Sequence, residues 1–317
     1  MHIDEILTTT RKTLFSFEIL PPLKGGTFEE IHQSIEPLLE FKPPYINVTY
    51  HQEEVVYKHR DGGLLEKKIV RKRPGTVGIA SALQYNCRVD VVPHIICGGF
   101  TREETENALI DLHFLGIHNV LAVRGDPERS QKEFIAEPDG HTHAVDLVRQ
   151  IIDLNHGRYL DEELQNSTAT NFCVGVAGYP EKHAEAPNQH SDLRHLKEKV
   201  DAGANYIVTQ LFFDNSKFFD FVDRCRAAGI TVPIVPGLKP IAVKSHLIGL
   251  PKTFHIEIPD ELVHLVEQCK SNREVRQVGV EWAITQTKDL IRAGVPAVHF
   301  YTMGNPDNIC QIARACF

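Results

Sequence analysis

The chain has 317 residues, of which 42% are hydrophobic and 24% are charged, and this composition excludes a disordered protein. Its formal net charge of −8 at pH 7 argues against nucleic acid as a partner. No apolar run is long enough to span a bilayer or to serve as a signal peptide. Seven cysteines without a CxxC pair favour a reducing compartment, so we expect a cytoplasmic protein.

Eight short runs rich in Val, Ile and Phe are predicted to be strands, and they recur along the whole chain. They cover residues 14–20, 45–50, 89–97, 119–125, 172–179, 206–213, 232–238 and 297–303. Apolar runs of this kind are typical of strands that are buried in a parallel sheet.

Segments with helical periodicity separate these strands, and each opens with a capping residue or an acidic first turn. The clearest of them cover residues 27–41, 101–116, 191–203, 215–229 and 275–294. The alternation predicts a single α/β domain over residues 1–317, folded as a (βα)8 TIM barrel. A doubly wound open sheet is the alternative, but the first strand lacks the glycine-rich phosphate loop that usually follows it in that fold.

A basic run covers residues 59–73, between the second predicted strand and the third. We interpret it as a solvated loop that leads into a helix at Pro74. Loops of this kind also cover active sites in some enzymes, so its role is left open.

Polar residues stand near the C-terminal ends of the predicted strands, where the active sites of α/β barrels lie. They are Glu18, Thr49, His94, Arg124, Asp126, Tyr179, Gln210, Lys239 and Tyr301. Glu18 is the most informative, because a carboxylate between Phe17 and Ile19 on a buried strand costs free energy unless it has a partner or a task. We expect a raised pKa that suits a general acid; a structural carboxylate paired with Lys or Arg is the alternative.

Arg124 and Asp126 flank Gly125 after an apolar strand. The guanidinium donors of Arg124 and the carboxylate acceptor of Asp126 therefore lie beside a glycine, where the backbone can approach a ligand closely. This arrangement suits a planar heterocycle, and an exposed ion pair in a turn is the alternative. Gln210 offers a donor and an acceptor, which suits recognition of a ring amide, and a core glutamine is the alternative.

The 17 histidines do not predict a metal site, because their spacing is poor. His141 and His143 form an HxH pair, but they precede a helix, whereas a metal-dependent barrel hydrolase would need the pair at the end of its first strand. Lys239 could form a Schiff base, yet the proline that follows it favours a structural or anion-contacting role.

Several motifs resemble those of methylenetetrahydrofolate reductases, in the same order along nearly the whole chain. They are FSFEILPP, INVTYH, VPHIIC, VLAVRGDP, GYPEKHAEA, DAGANYIVTQLFFD, VPIVPGLKPI and HFYTM. The resemblance implies a barrel with noncovalent FAD that reduces 5,10-methylenetetrahydrofolate to 5-methyltetrahydrofolate by ping-pong hydride transfer from NAD(P)H, in one-carbon metabolism and methionine biosynthesis. Since the resemblance covers only the catalytic barrel, we expect no C-terminal regulatory domain. We also expect a homo-oligomer.

The resemblance assigns roles residue by residue. Glu18 matches the general acid that helps to open the folate's five-membered ring, and Asp126 matches a carboxylate that contacts the pterin and tunes the flavin. Gln210, Tyr301 and Asn305 are the further residues expected to bind the substrate. The positions that match flavin contacts are Thr49, His94, Arg124, Gly125, Asp126, Ala144, Tyr179, His183, Asp192 and Lys199.

The chain departs from the family pattern at a few of these positions. His195 and Glu198 stand where some members carry Asn and Arg near the nucleotide portion of the flavin. Leu250 stands near a position that is often Phe, and Asn305 replaces an Arg that would meet the folate or its glutamate tail. Two rival hypotheses remain: a metal-dependent barrel hydrolase, and a non-catalytic folate- or flavin-binding subunit that would not need Glu18.

Overall fold

The computed structural model of the protein describes residues 1–127, 131, 133–303 and 306–317, and for residues 54, 55 and 69 it describes the backbone only. Asn305 therefore lies outside the described residues. In chain order the strands are β1 (Leu14–Ile19), β2 (Tyr45–Val48), β3 (Glu54–His59), β4 (Leu65–Val70), β5 (Asp90–Ile96), β6 (Asn119–Val123), β7 (Cys173–Gly178), β8 (Tyr206–Leu211), β9 (Ile234–Leu238) and β10 (Ala297–Tyr301).

Eight of these strands pair in parallel and close into a barrel in the order β1-β10-β9-β8-β7-β6-β5-β2, which confirms the predicted TIM barrel and excludes the open sheet. Each predicted strand is present, but the prediction was one or two residues too long at one or both ends. The predicted runs were too long because residues next to several strands, such as Leu20, Cys97 and Phe212, are also apolar.

Alternate residues of each strand face opposite sides of the barrel wall, as the pleat of a strand requires. On β1, Phe15 and Phe17 point outward and belong to the core that lies between the barrel and its helices. Ser16 and Glu18 point inward, where Ser16 meets His299 of β10. The inward positions near the C-terminal strand ends therefore form the floor and walls of a mouth.

Helices surround the barrel and connect its strands. They are α1 (Ile3–Thr9), α2 (Phe28–Leu39), α3 (Thr76–Cys87), α4 (Arg102–Phe114), α5 (Ala144–Asn155), α6 (Gln189–Asp201), α7 (Asn215–Ala227), α8 (His246–Phe254), α9 (Asp260–Gln268), α10 (Asn272–Arg292) and α11 (Asp307–Cys316). The start signal predicted at residue 101 is real, since Thr101 and Glu104 form a capping box at α4. Helix α10 begins three residues before its predicted segment, and Ser271 accepts there from the Glu274 N–H. In the part of the chain that the structure describes, no helix combines the length and the apolar character needed to cross a membrane.

The N-terminal end of the barrel is closed by α1. Ile3 and Leu7 are buried in one apolar cluster with Tyr45 and Tyr206 from the barrel strands. The Asn119 side chain fixes the helix, since its Oδ1 accepts from the Ile3 N–H at 3.0 Å. A ligand that enters the barrel must therefore approach from the C-terminal end, as in other proteins of this architecture.

The basic run at residues 59–73 is not the solvated loop that we predicted. Most of it belongs to a β-hairpin in which β3 pairs with β4 in antiparallel register from Glu54↔Val70 to His59↔Leu65. Charged residues on both faces hide the period of two that would have indicated strands. The helix expected at Pro74 is present as α3 and begins at Thr76.

Candidate active site

Three chemically important residues lie side by side on the rim of the barrel. The β1–β10 register pairs Glu18 with Tyr301. The β10–β9 register pairs Phe300 with Leu238, so the next residues, Tyr301 and Lys239, are also neighbours across the wall. Glu18, Tyr301 and Lys239 thus form a row across three adjacent strands, and we call this row the rim triad.

Glu18 has the raised pKa that its sequence context predicted. Burial raises the pKa of its carboxyl to about 8, and the positive charge of Lys239 opposes part of that rise. Its main-chain oxygen accepts a hydrogen bond from the Thr302 hydroxyl at 2.8 Å, which holds the strand end in place. At neutral pH the carboxyl is therefore mostly protonated and able to donate a proton.

Lys239 is a buried cation, with only 8% of its surface exposed. Burial lowers the pKa of its amine to about 8, against the opposing effect of Glu18. Among the residues that the structure describes, the side chains of Glu18 and Lys239 make no hydrogen bond and no ion pair within 4.0 Å, with each other or with a third group. The two groups sense each other's charge across a gap in the mouth.

Tyr301 is already engaged within the protein. Its hydroxyl donates to the main-chain oxygen of Thr209 at 2.5 Å. The ring passes over Gly237, where a Cβ atom would lie 2.6 Å from the ring and 2.3 Å from the Thr209 oxygen. Burial raises the pKa of Tyr301 well above its usual range, so the phenol stays neutral. The structure thus gives Tyr301 a structural contact, and its predicted role in substrate binding stays a prediction.

Gln210 lies in the mouth at the end of β8. Its Oε1 accepts from the N–H of Leu211 at 2.9 Å. Within the described part of the chain its amide nitrogen has no hydrogen-bond partner. The amide N–H2 group is thus the part of Gln210 that can bind a ligand.

Two further predicted residues, Thr49 and His94, lie on the adjoining side of the barrel. The Thr49 hydroxyl donates to the main-chain oxygen of Ile19 at 3.2 Å and so joins the ends of β2 and β1. His94 Nε2 lies 3.3 Å from Asn47 Nδ2, and burial followed by the charge of His51 lowers the pKa of His94 to about 3. The imidazole is therefore neutral, and among the residues that the structure describes the buried Oδ1 of Asn47 has no hydrogen-bond partner.

Arg124 is paired with a residue that the sequence analysis did not single out. Its Nη1 and Nη2 donate to the two carboxylate oxygens of Glu185 at 2.6 and 2.7 Å. The guanidinium also lies over the Phe134 ring, 4.8 Å from its centroid. The pair raises the pKa of Arg124 and lowers that of Glu185, so both stay charged. Glu185 lies in the GYPEKHAEA motif, but no local pattern marks it as the partner of Arg124.

Asp126 and Gly125 follow Arg124 at the rim. Asp126 is exposed, and its main-chain oxygen accepts from Gln52 Nε2 at 3.2 Å. Gly125 has a φ of +87°, a backbone conformation that a side chain would strain. The ion pair that we considered between Arg124 and Asp126 does not form, because Glu185 occupies the guanidinium.

A second group of predicted residues lines a groove between the end of β7 and α6. Lys199 Nζ donates to the main-chain oxygen of Ala177 at 2.6 Å, and burial lowers its pKa to about 8. Asp192 Oδ2 accepts from the His183 N–H at 3.1 Å, and the His183 ring meets the Tyr179 ring edge-on at 4.7 Å. The structure therefore brings these four side chains together, and their contact with a flavin stays a prediction.

Ala144 is the first residue of α5, and the preceding His143 gives this helix no side-chain cap. The start of the helix therefore presents backbone N–H groups, which favour anions. His141 Nε2 lies 2.5 Å from Gln150 Oε1 and is buried, so its ring is fixed by a protein partner. Among the described residues, no group of three His, Cys, Asp or Glu side chains could hold a metal ion.

The positions that depart from the family pattern have local partners. His195 Nδ1 lies 3.1 Å from Glu198 Oε2, so these two side chains of α6 pair with each other. Leu250 is buried in an apolar cluster with residues such as Ile241 and Leu262, and Tyr301 packs against this cluster.

Several known proteins are similar to this chain in sequence or in fold. The model of the protein family described as methylenetetrahydrofolate reductase matches residues 2–316. The chain is 33% identical to methylenetetrahydrofolate reductase (NADH) 1 of Arabidopsis thaliana over 95% of the chain, and 31% identical to the 5,10-methylenetetrahydrofolate reductase of Pectobacterium carotovorum subsp. carotovorum over 92% of it. It spans 48% of the plant protein, 44% of methylenetetrahydrofolate reductase 1 of Schizosaccharomyces pombe and 86% of the bacterial protein, so it covers about half the length of the first two relatives.

Among solved structures, the chain resembles an uncharacterised protein from Clostridium thermocellum that binds two copies of 5-methyl-5,6,7,8-tetrahydrofolic acid. The TM-score is 0.58 with 14% sequence identity, and the match covers 99% of this chain and 98% of the other. At this identity the likeness concerns the fold.

Proposed function

The chain belongs to the methylenetetrahydrofolate reductase family, and from this premise we propose that it reduces the methylene carbon of 5,10-methylenetetrahydrofolate to the methyl group of 5-methyltetrahydrofolate, with NAD(P)H as the electron source. The observation that carries the proposal is Glu18, a carboxyl with a pKa near 8 in the mouth of the barrel. The reaction needs a proton at a folate nitrogen so that the five-membered ring opens, and Glu18 holds one at neutral pH.

The residues around Glu18 support the binding of a pterin. The amide nitrogen of Gln210 is available as a donor, and the exposed carboxylate of Asp126 is an acceptor at the rim. A pterin carries both kinds of group on one edge, so these two side chains complement it. Asn305, expected at the glutamate tail, lies outside the described residues and stays a prediction.

We propose FAD as the cofactor, held in the groove beside β7 and α6 and along the rim to Arg124. The chemistry of the donor set fits a dinucleotide: the Lys199 ammonium and the uncapped start of α5 at Ala144 suit phosphates, and Asp192 suits a hydroxyl. Gly125 adds a place where the backbone can approach a flat ring. FAD, when bound, carries hydride between the nicotinamide and the folate.

The remaining flavin contacts proposed from the resemblance have roles that their geometry supports. Glu185 orients the Arg124 guanidinium through two hydrogen bonds, and Tyr179 and His183 support each other through their rings. The neutral His94 offers a ring nitrogen without adding charge. Thr49 holds the ends of two strands together at this side of the mouth.

We also propose a reducing compartment, the cytoplasm, since all seven cysteines are free thiols. Homo-oligomerisation stays a prediction, and analytical ultracentrifugation tests it.

Anaerobic stopped-flow absorbance of the purified protein with FAD tests the proposed function. We expect NADH or NADPH to bleach the flavin bands and 5,10-methylenetetrahydrofolate to restore them, with 5-methyltetrahydrofolate as the product by chromatography. The two nicotinamides are compared at equal concentration to identify the donor. A protein that binds no flavin, or whose reduced flavin is not reoxidised by the folate, contradicts the proposal.

A further inference from the structure

We propose that Lys239 is a positioning residue for Glu18: its ammonium stabilises the carboxylate that Glu18 becomes on donating its proton, and it returns a proton to that carboxylate for the next turnover. This inference rests on the proposed function, and it names a residue of the reaction that the family resemblance did not assign.

The position of Lys239 in the barrel is the first support. Lys239 follows β9, Glu18 lies near the end of β1, and Tyr301 of β10 separates them in the rim triad. Neighbouring strands in a sheet are about 4.8 Å apart, and the main chains of Lys239 and Glu18 are separated by two such spacings. The flexible lysine side chain can therefore approach the carboxyl. Only 8% of the surface of Lys239 is exposed, so solvent screens its charge weakly.

The lack of any other partner is the second support. A buried ammonium is costly unless it is paired or hydrogen-bonded. In the part of the chain that the structure describes, Lys239 has no hydrogen bond and no ion pair within 4.0 Å, and the carboxylate whose charge it senses is Glu18. A lysine in this setting is better explained by a charge that appears during turnover than by a fixed structural contact.

The other titratable groups that face this pair stay neutral near pH 7. Tyr301, from β10, has its pKa raised well above the usual range by burial, and its proton is held by the Thr209 oxygen. His246, from α8, has its pKa lowered by burial and then by Lys239, and its Nδ1 accepts from the Ala242 N–H at 3.2 Å. The proton balance near neutral pH therefore depends on Glu18 and Lys239.

The protons that Glu18 and Lys239 donate and regain balance over one turnover. Both groups have pKa values of about 8, so the resting pair at neutral pH is a protonated carboxyl beside an ammonium. When Glu18 gives its proton to the folate nitrogen, the ring C–N bond breaks and its electron pair goes to that nitrogen. The Glu18 carboxylate then faces the Lys239 ammonium. Lys239 then passes a proton to the carboxylate and regains one from water at the rim.

Infrared pH titration of the Glu18 carboxyl tests the coupling without substrate. The Glu18 band is assigned as the one lost in Glu18→Gln. Lys239→Met removes the charge at similar length, and we expect it to raise the titration midpoint by about one pH unit, as for a carboxyl that loses an adjacent opposite charge. Lys239→Arg keeps the charge and should leave the midpoint near that of the wild type.

Single-turnover oxidation of the reduced holoenzyme by 5,10-methylenetetrahydrofolate tests the catalytic consequence. We expect Lys239→Met to slow this step by up to about tenfold, since one pH unit corresponds to a factor of ten. The alkaline limb of its pH profile should move upward by about the same unit, and Lys239→Arg should restore it. Flavin reduction by the nicotinamide should be unchanged, and Lys239→Met should have no further effect in a Glu18→Gln background.

An unchanged Glu18 titration in Lys239→Met overturns the inference. So does a higher KM for the folate without a shift of the alkaline limb, which would make Lys239 a substrate contact. Equal losses in both half-reactions with a lower melting temperature would make it structural. A wild-type protein that does not reduce the folate overturns the proposed function and the proton-donor role, whereas the substrate-free titration still reports on the coupling itself.

Discussion

The hydroxyl of Tyr301 belongs to the protein interior more than to the mouth. It donates to the Thr209 oxygen at 2.5 Å, next to a register shift between β8 and β9 that lies between Val208 and Leu211. A main-chain oxygen at such an irregularity needs a donor from outside the ladder. Tyr301 supplies that donor, and Gly237 leaves the space for it.

Tyr301→Phe is therefore expected to lower the free energy of unfolding by about 1–2 kcal/mol, because a buried carbonyl loses its partner. The KM for the folate should change little, because the hydroxyl is not free for substrate. Urea unfolding and steady-state kinetics measure the two quantities. A large rise in KM at unchanged stability would restore the substrate-binding role predicted for Tyr301.

Glu185 holds the guanidinium of Arg124 at the proposed flavin site. Glu185→Gln is expected to weaken FAD binding by about twofold to fivefold, the range for loss of an exposed ion pair. Glu40→Gln at the end of α2 is the matched control, since Glu40 also pairs with an arginine on the surface, Arg314, away from the proposed flavin site. Fluorescence titration of the apoprotein with FAD measures both variants, and equal effects would mean that Glu185 has no specific role in the site.

The sequence indicated some of these residues but not their partners. Glu18, Arg124 and Lys239 each interrupt or end an apolar strand, and burial of a charge is visible in such a pattern. Glu185 lies 61 residues beyond Arg124 on an exposed turn, so nothing local links the two. The contact between Tyr301 and Thr209 depends on the register of three strands, which a single sequence does not specify.

The β3–β4 hairpin is attached to the rim at its base. The Lys24 N–H donates to the Lys72 oxygen at 2.6 Å, and Arg73 Nη1 donates to the Pro21 oxygen. Near its turn, Arg60 Nε donates to Glu66 Oε2 at 2.7 Å. The hairpin thus makes its own contacts outside the barrel wall, and the side chains described on it are exposed or half-buried.

Replacing residues 54–70 by a short Gly/Ser linker is expected to leave the barrel folded. The register pair Glu54↔Val70 places the two ends of the hairpin side by side, so a short linker can join them. The melting temperature should change by less than about 3 °C, as expected for a loss below 1 kcal/mol. Gly237→Ala, which forces a Cβ against Thr209 and Tyr301, is the contrasting variant and should lower it clearly in the same circular-dichroism melts. A deletion as damaging as Gly237→Ala would show that the hairpin supports the barrel.

The elements of the barrel were predictable because their hydrophobic periods are strong and their caps are standard. The hairpin was missed because charged residues fall on both faces of its second strand, as at the consecutive Glu66, Lys67 and Lys68, and hide the period of two. Two short helices, α8 and α9, were also not predicted. Pro251 lies inside the first and Pro259 caps the second, and prolines mask a short helical period.

The barrel interior contains histidines that affect the pH dependence of the whole fold. His299 is 1% exposed, Ser16 Oγ lies 3.0 Å from its Nδ1, and burial followed by the charge of His94 lowers its pKa to about 3. The unfolded chain takes up a proton below the ordinary pKa of 6.5, whereas the folded chain does not until about 3. The stability that the neutral ring contributes is therefore fully present above pH 6.5, and it is lost as the pH falls from 6.5 towards 3.

We expect the contribution of His299 to the free energy of unfolding to fall by about 1 kcal/mol for each pH unit below 6.5. His299→Gln should flatten this acid dependence, whatever it does to the stability at neutral pH. His264→Gln, at an exposed position on α9, is the control and should leave the slope as it is. Urea unfolding at several pH values measures the slopes, and identical slopes in wild type and His299→Gln would contradict the assignment.

The closure of eight strands and the C-terminal location of the site followed from the order of elements along the chain. The charge state of the mouth did not follow in the same way, since it depends on residues that only the closed barrel brings together. Glu18 is an example of both cases. Its strand was predicted from the sequence pattern, whereas its protonation state depends on burial in the closed barrel.

The most direct test of this account is the separation of the two half-reactions in Glu18→Gln. We expect NAD(P)H to reduce the flavin of this variant at close to the wild-type rate, because that step needs no acid at Glu18. Oxidation by 5,10-methylenetetrahydrofolate should be slower by about 10²–10⁴, the usual contribution of a general acid. Folate reduction at the wild-type rate, or an equal loss in both half-reactions, would contradict the role of Glu18 as the proton donor.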